Sequence, residues 1–110
     1  MRVFNNLIKN AIQAIPEDRS GNIDIAIERL PETVIAKIID NGVGIPEEKQ
    51  ASIFVPNFTT KNSGMGLGLA ISRNIIESAN GTIYFSTEEN VGTTFYVELP
   101  IKEAVEKMYV

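Results

Sequence analysis

The chain has no cysteine and no histidine among its 110 residues. Without cysteine there is no disulfide, no thiolate nucleophile and no Cys-type zinc site. Without histidine there is no Ser–His catalysis, and most transition-metal sites lose their commonest ligand. Basic runs are also lacking. Ten Lys and Arg stand against fourteen Asp and Glu, a net charge of −4. That balance argues against nucleic acid as the main partner, because phosphate backbones demand Lys/Arg patches. No apolar run approaches the ~18 residues of a membrane span, and no charged-then-apolar leader opens the chain. No period repeats and no segment is low in complexity. Any chemistry must therefore come from carboxylates, amides, hydroxyls, Lys/Arg, backbone amides or a borrowed metal ion. What remains is ordinary globular composition, 44% hydrophobic and 22% charged. One domain of this length buries about two-thirds of its unfolded surface.

The stretch Gly64-Met65-Gly66-Leu67-Gly68-Leu69-Ala70-Ile71-Ser72 organises the rest. Three glycines at alternate positions run into a helical pattern, with Leu67, Ile71 and Ile75 at i, i+4, i+8. Asn80-Gly81 marks the stop. A loop of few side chains opening onto a helix N-terminus offers unpaired amides and roughly half a positive charge. It reads either as a phosphate cradle or as a flexible loop before a core helix.

Residues 1–15 read as an amphipathic helix. Val3, Phe4, Leu7, Ile8, Ala11, Ile12, Ala14 and Ile15 fill the apolar arc. Asn6 and Asn10 sit i, i+4 apart at its border. They are either solvated amides or amide oxygens offered to a hard cation. Ile23, Ile25 and Ile27 alternate as a half-buried strand, and Thr33–Ile39 follows as its antiparallel hairpin partner. Asp40-Asn41-Gly42-Val43-Gly44-Ile45-Pro46 comes next. Asn-Gly alone signals a plain turn, but a second glycine suggests backbone making room. A carboxylate ending an apolar strand needs donors, and a ligand amino group is one. Glu47–Ile53 reads as a short helix, with Pro46 suited to its first turn. Phe54 to Gly64 is a polar, glycine-ended loop with the profile of a mobile lid. Its Phe54 and Phe58 read as packing anchors. Thr82–Thr87 and Thr93–Leu99 form a second strand pair, with Phe95, Val97 and Leu99 facing the core, and residues 102–110 form a charged tail.

In this order the blocks resemble the ATP-binding catalytic domain of sensor histidine kinases, in the superfamily that also holds DNA gyrase B, Hsp90 and MutL. The N box resembles Asn6-Leu7-Ile8-Lys9-Asn10-Ala11, the first glycine box Asp40 to Ile45, the F box Phe54 to Phe58, and the second glycine box Gly64 to Leu69. Gly92-Thr93-Thr94-Phe95 is a last match. The resemblance covers nearly the whole chain. It implies a two-layer α/β sandwich of Bergerat type, with helices on one face of a mixed, mostly antiparallel sheet. It further implies an ATP-binding catalytic domain over 1–101 and a tail over 102–110. The chain opens inside the N-box helix, so the strand and turn that normally precede that helix are expected to be missing. The sheet edge left open would invite pairing between chains.

The resemblance also implies roles. Asp40 would accept from the adenine amino group, Gly42 and Gly44 would leave space for the purine, and Thr93 would support the base. Asn10 would ligate Mg²⁺, with Asn6 assisting one turn away. Gly64, Gly66 and Gly68 would hold the phosphates with the helix N-terminus. Ile45, Phe58, Thr60, Leu67 and Leu69 would complete the nucleotide contacts. Lys61 would reach the γ-phosphate, and Lys9 is a weaker candidate for that work. Hydrolysing members of the superfamily carry a glutamate where Asn6 stands, and an amide cannot serve as a general base. The chain therefore resembles a domain that holds ATP for an external histidine on a separate dimerisation domain, with a response regulator downstream, in the cytoplasm. An ATP-sensing module without kinase activity and an anti-sigma-type serine kinase share most of these blocks. A dinucleotide fold does not fit, since the glycine spacing is wrong, and the Gly-x4-Gly-Lys-Ser/Thr loop is absent.

Overall fold

The computed structural model describes residues 2–55 and 65–101, and of residues 65–68 only the backbone. Its elements in chain order are α1 (Arg2–Ala14), β1 (Ile23–Arg29), β2 (Thr33–Asp40), α2 (Glu47–Gln50), α3 (Met65–Ser78), β3 (Thr82–Glu88) and β4 (Gly92–Pro100). One sheet runs β1-β2-β4-β3. All three pairings are antiparallel, so the described sheet has none of the mixed character expected.

Alternation along β2 and β4 sets the two layers. Ala36, Ile38, Phe95, Val97 and Leu99 are buried on one face, while Ile35, Lys37, Tyr96 and Glu98 on the other are only half-buried. Val3, Leu7 and Ala11 of α1, Leu69 and Ile76 of α3, and Ala79 just past its end close over the first face as one core. The two-layer α/β sandwich is therefore as expected. On the opposite face Tyr84 stacks on Tyr96, with ring centroids 4.8 Å apart. Helix α3 ends with Asn80 in the left-handed region (φ 62°), and Gly81 N donates to Ile76 O at 2.9 Å. α2 is shorter than its pattern suggested, ending at Gln50.

Two apolar expectations fail. Ile25 and Ile27 pair with Ile38 and Ala36, so they lie on the core face, yet they are 55% and 72% exposed. Ile12, placed on the apolar arc of α1, is 58% exposed. The buried stripe of α1 instead runs Val3, Leu7, Asn10, Ala11. α1 is turned to bring Asn10 inward, and among the described residues no element covers β1. Among those residues no helix is long and apolar enough to cross a membrane.

Candidate functional site

A cavity of about 310 Å³ opens where the end of β2, the start of β4, α1 and α3 meet. Asn10 of α1, Asp40 of β2, Thr93 of β4 and Leu69 of α3 line it, together with Gly44 and Ile45 from the segment after β2. The asparagine and aspartate found far apart in the chain thus share one space.

Asp40 is buried. Its Oδ1 accepts from two main-chain amides, Gly42 N at 2.8 Å and Thr93 N at 3.2 Å. Its Oδ2 has no hydrogen bond among the described residues, leaving an acceptor at the cavity wall. Burial raises the Asp40 pKa, and the two amide bonds only partly offset this. Thr93 is fixed in turn through Thr87, whose Oγ1 accepts from Ile45 N at 2.9 Å, reaches Gly92 O at 3.2 Å and meets Thr93 Oγ1 at 2.8 Å. If the single Thr87 proton goes to Gly92, Thr93 must donate to Thr87, and Thr93 Oγ1 faces a ligand as an acceptor.

Asn10 is buried at 8% exposure, and its Nδ2 has no partner among the described residues. An orphaned buried donor of this kind costs ~1–3 kcal/mol. It calls for an acceptor such as a phosphate oxygen or a metal-held water. The oxygen of the same amide is the hard donor magnesium takes. Among the described residues no three His, Cys, Asp or Glu cluster as a metal site. A cation here would depend on the ligand's own oxygens, which suits magnesium on a triphosphate.

Gly42 and Gly44 both have a packing role that the sequence did not show. A Cβ on Gly42 would stand 2.5 Å from Ala14 O, because Val43 N caps α1 by donating to that oxygen at 2.9 Å. A Cβ on Gly44 (φ +77°) would stand 2.5 Å from Glu88 O. Protein backbone thus stands where a side chain would be on both glycines, while Gly44 also lines the cavity. The glycine-rich stretch also differs from a loop followed by a helix. α3 already begins at Met65, so Gly66, Leu67 and Gly68 form its first turn, where the helix has its unpaired amides. Asn6 does not line the cavity; its Nδ2 donates to the buried Ser72 Oγ of α3 at 3.4 Å. Phe58, Thr60, Lys61 and Gly64 lie outside the described residues. Phe54 is a packing anchor as expected, edge-on to Phe95 with centroids 6.4 Å apart.

Sequence reasoning missed Gln13, Val43, Lys49 and Phe95 as wall residues. Lys49 carried a faint signal, a cation one turn after Pro46 in an acidic stretch. Arg19 carried none.

A model of histidine kinase-, DNA gyrase B- and HSP90-like ATPases matches residues 1–103. Sporulation kinase E of Bacillus subtilis is 39% identical over 107 residues, covering 96% of this chain and 14% of that protein. Sensor histidine kinase ZraS of Escherichia coli is 41% identical over 100 residues, covering 91% of this chain and 21% of that protein. This chain thus spans about a fifth or less of these two relatives. The solved catalytic domain of histidine kinase ThkA superposes with a TM-score of 0.78 at 42% identity, over 90% of this chain and 65% of that one. The chain belongs to the histidine kinase-, gyrase- and HSP90-like ATPase family, as a sensor histidine kinase ATP-binding catalytic domain.

Proposed function

We propose that the cavity holds Mg–ATP and presents its γ-phosphate to a histidine on a separate dimerisation domain, from which a response regulator takes it. The observation that carries this reading is one cavity whose walls hold a carboxylate oxygen of Asp40 and an amide nitrogen of Asn10, neither with a partner among the described residues. Asp40 Oδ2 accepts from the adenine amino group, and guanine would set an acceptor against it. Asn10, with the first-turn amides of α3, takes the phosphate end. Magnesium, when bound, neutralises the phosphate charge that develops during transfer. Asn6 offers no base to water, so the attacking group comes from outside. An imidazole nitrogen forms the new N–P bond as the P–O bond to ADP breaks. The chain has no histidine to supply that nitrogen itself.

The test mixes the chain with a histidine-bearing dimerisation domain and γ-labelled ATP. Acid-labile, alkali-stable label on that domain is the expected result. Tight ATP binding with no transfer would reduce the chain to a sensing module, and label on serine would make it a serine kinase.

The uncovered β1 belongs to the same proposal, as a self-pairing edge. An antiparallel pair of two copies centred on Ile25 sets Ile23 against Ile27 and Asp24 against Ala26, with no like charges opposed. Light scattering at rising concentration should show mass approaching twice 12.1 kDa. Ile27→Lys should return the monomer while moving stability by less than about 0.5 kcal/mol, since the site is exposed. A wild-type chain that stays monomeric at all concentrations removes the proposal.

A further inference from the structure

Arg19 lies in the connection between α1 and β1, half-buried, and pairs with no carboxylate among the described residues. Its Nη1 donates to two successive main-chain carbonyls, Asn41 O at 2.6 Å and Gly42 O at 2.8 Å. Each carbonyl belongs to a planar peptide whose N–H points the opposite way. The Asn41–Gly42 peptide ends on Asp40, through Gly42 N to Oδ1 at 2.8 Å. The Gly42–Val43 peptide ends on α1, through Val43 N to Ala14 O at 2.9 Å. One guanidinium therefore heads two relays. One terminates on the carboxylate in the cavity wall, the other on the last turn of the helix that carries Asn10.

We propose that Arg19 is a positioning residue for the base-reading end of the site, setting the direction in which Asp40 Oδ2 faces the ligand. The inference rests on the reading of Asp40 as the adenine acceptor. A cation on a peptide oxygen polarises the peptide and strengthens its N–H as a donor. The bond holding Asp40 Oδ1 is thereby strengthened from the far side. Glycine at 42 leaves that peptide free to rotate unless something fixes it. Asn41 supplies an independent tether, accepting from Asn22 N at 2.8 Å and donating to Ser20 O at 2.9 Å. The loop therefore stays folded when the guanidinium is removed, and only its orientation relaxes.

The experiment titrates wild type, Arg19→Gln, Arg19→Lys and Asp40→Asn with ATP and with GTP, and melts each in parallel. Arg19→Gln should weaken ATP about tenfold, as loss of two charge-assisted bonds implies. GTP binding should hardly move, so the ATP-over-GTP ratio falls by nearly the same factor. Arg19→Lys keeps a cation but not the planar fork, and should restore part of the ratio with melting close to wild type. Equal losses for ATP and GTP, with the ratio intact in both Arg19 variants, would mean Arg19 only supports the fold, and the proposal fails. If Asp40→Asn keeps the adenine preference, the base-reading role itself fails. If Asp40→Asn loses that preference while Arg19→Gln keeps it, Arg19 alone is wrong.

Discussion

Asp40→Asn should reverse the base preference of the site while leaving the fold intact. Gly42 N and Thr93 N both donate to Oδ1. The asparagine oxygen must keep that position, because the amide NH₂ cannot accept from them. The NH₂ is then fixed where Oδ2 stood, facing the cavity. Against the adenine amino group it sets donor against donor, and ATP affinity should fall about 100-fold through loss of a charged hydrogen bond. Against guanine O6 it finds an acceptor, so GTP should gain on ATP. The fold should not suffer at neutral pH. Burial raises the Asp40 pKa, so the folded state disfavours the ionised form. For an acid shifted upward, stability is full below the ordinary aspartate value, 3.8, and is lost as pH rises through the raised one. Asparagine never ionises and avoids that loss. The variant should therefore melt at or above wild type at pH 7.5, and its advantage should shrink as pH falls toward 4. Paired titrations and melts across pH measure both effects. An unchanged ATP-to-GTP ratio would remove Asp40 from base reading.

Much of this site could be read from spacing, and the failures have physical causes. The strand hairpins and the placement of Asp40 at a strand end follow from alternation and Asn-Gly signals, which are local. Helical periodicity puts Asn10 only at the border of an apolar arc, because it counts hydrophobic residues. It cannot tell that α1 would turn an amide inward and leave Ile12 out at 58% exposure. The alternation of Ile25 and Ile27 correctly gave a strand and its core-side face. Burial, however, depends on what lies above that face, which no strand pattern records. The pattern marks Gly42 as a position needing space, and Ala14 backbone stands where its side chain would be. Only the docking of α1 against the loop reveals that. Arg19 sits 21 positions before Asp40 in a turn-rich connection, and its two bonds go to main-chain carbonyls, which have no sequence signature. Long-range side-chain-to-backbone contacts are where reading by residue type stops. They hold the loop that aims the one carboxylate the base-reading role depends on.

The other large effect is expected at Gly92, where fold and site meet. It opens β4 with φ +148°, a conformation essentially reserved for glycine. A Cβ there would overlap Asp40 O and press on Asn41 Cα at 3.0 Å, both of them main chain. Strained backbone costs of order 1–3 kcal/mol. The overlap adds to that, because neither strand can shift without breaking the Asp40–Thr93 pairing. Gly92→Ala should therefore destabilise by about 3 kcal/mol or more, lowering the melting temperature by upwards of about 10 °C. Gly21→Ala is the natural control. Its Cβ would meet only side-chain atoms of Ile15, Cδ1 at 3.1 Å and Cγ2 at 3.2 Å, and no main chain, so it should cost less than about 1 kcal/mol. Gly92→Ala should also injure binding beyond its effect on stability. Relief of the overlap pushes the end of β2 away from β4, and Thr93 N then loses its 3.2 Å bond to Asp40 Oδ1. ATP affinity measured well below the lowered melting temperature should still fall, and it should fall more than GTP affinity. A variant that melts within about 3 °C of wild type, a change well under about 1 kcal/mol for a domain of this size, would show that the β2–β4 junction is looser than its geometry indicates.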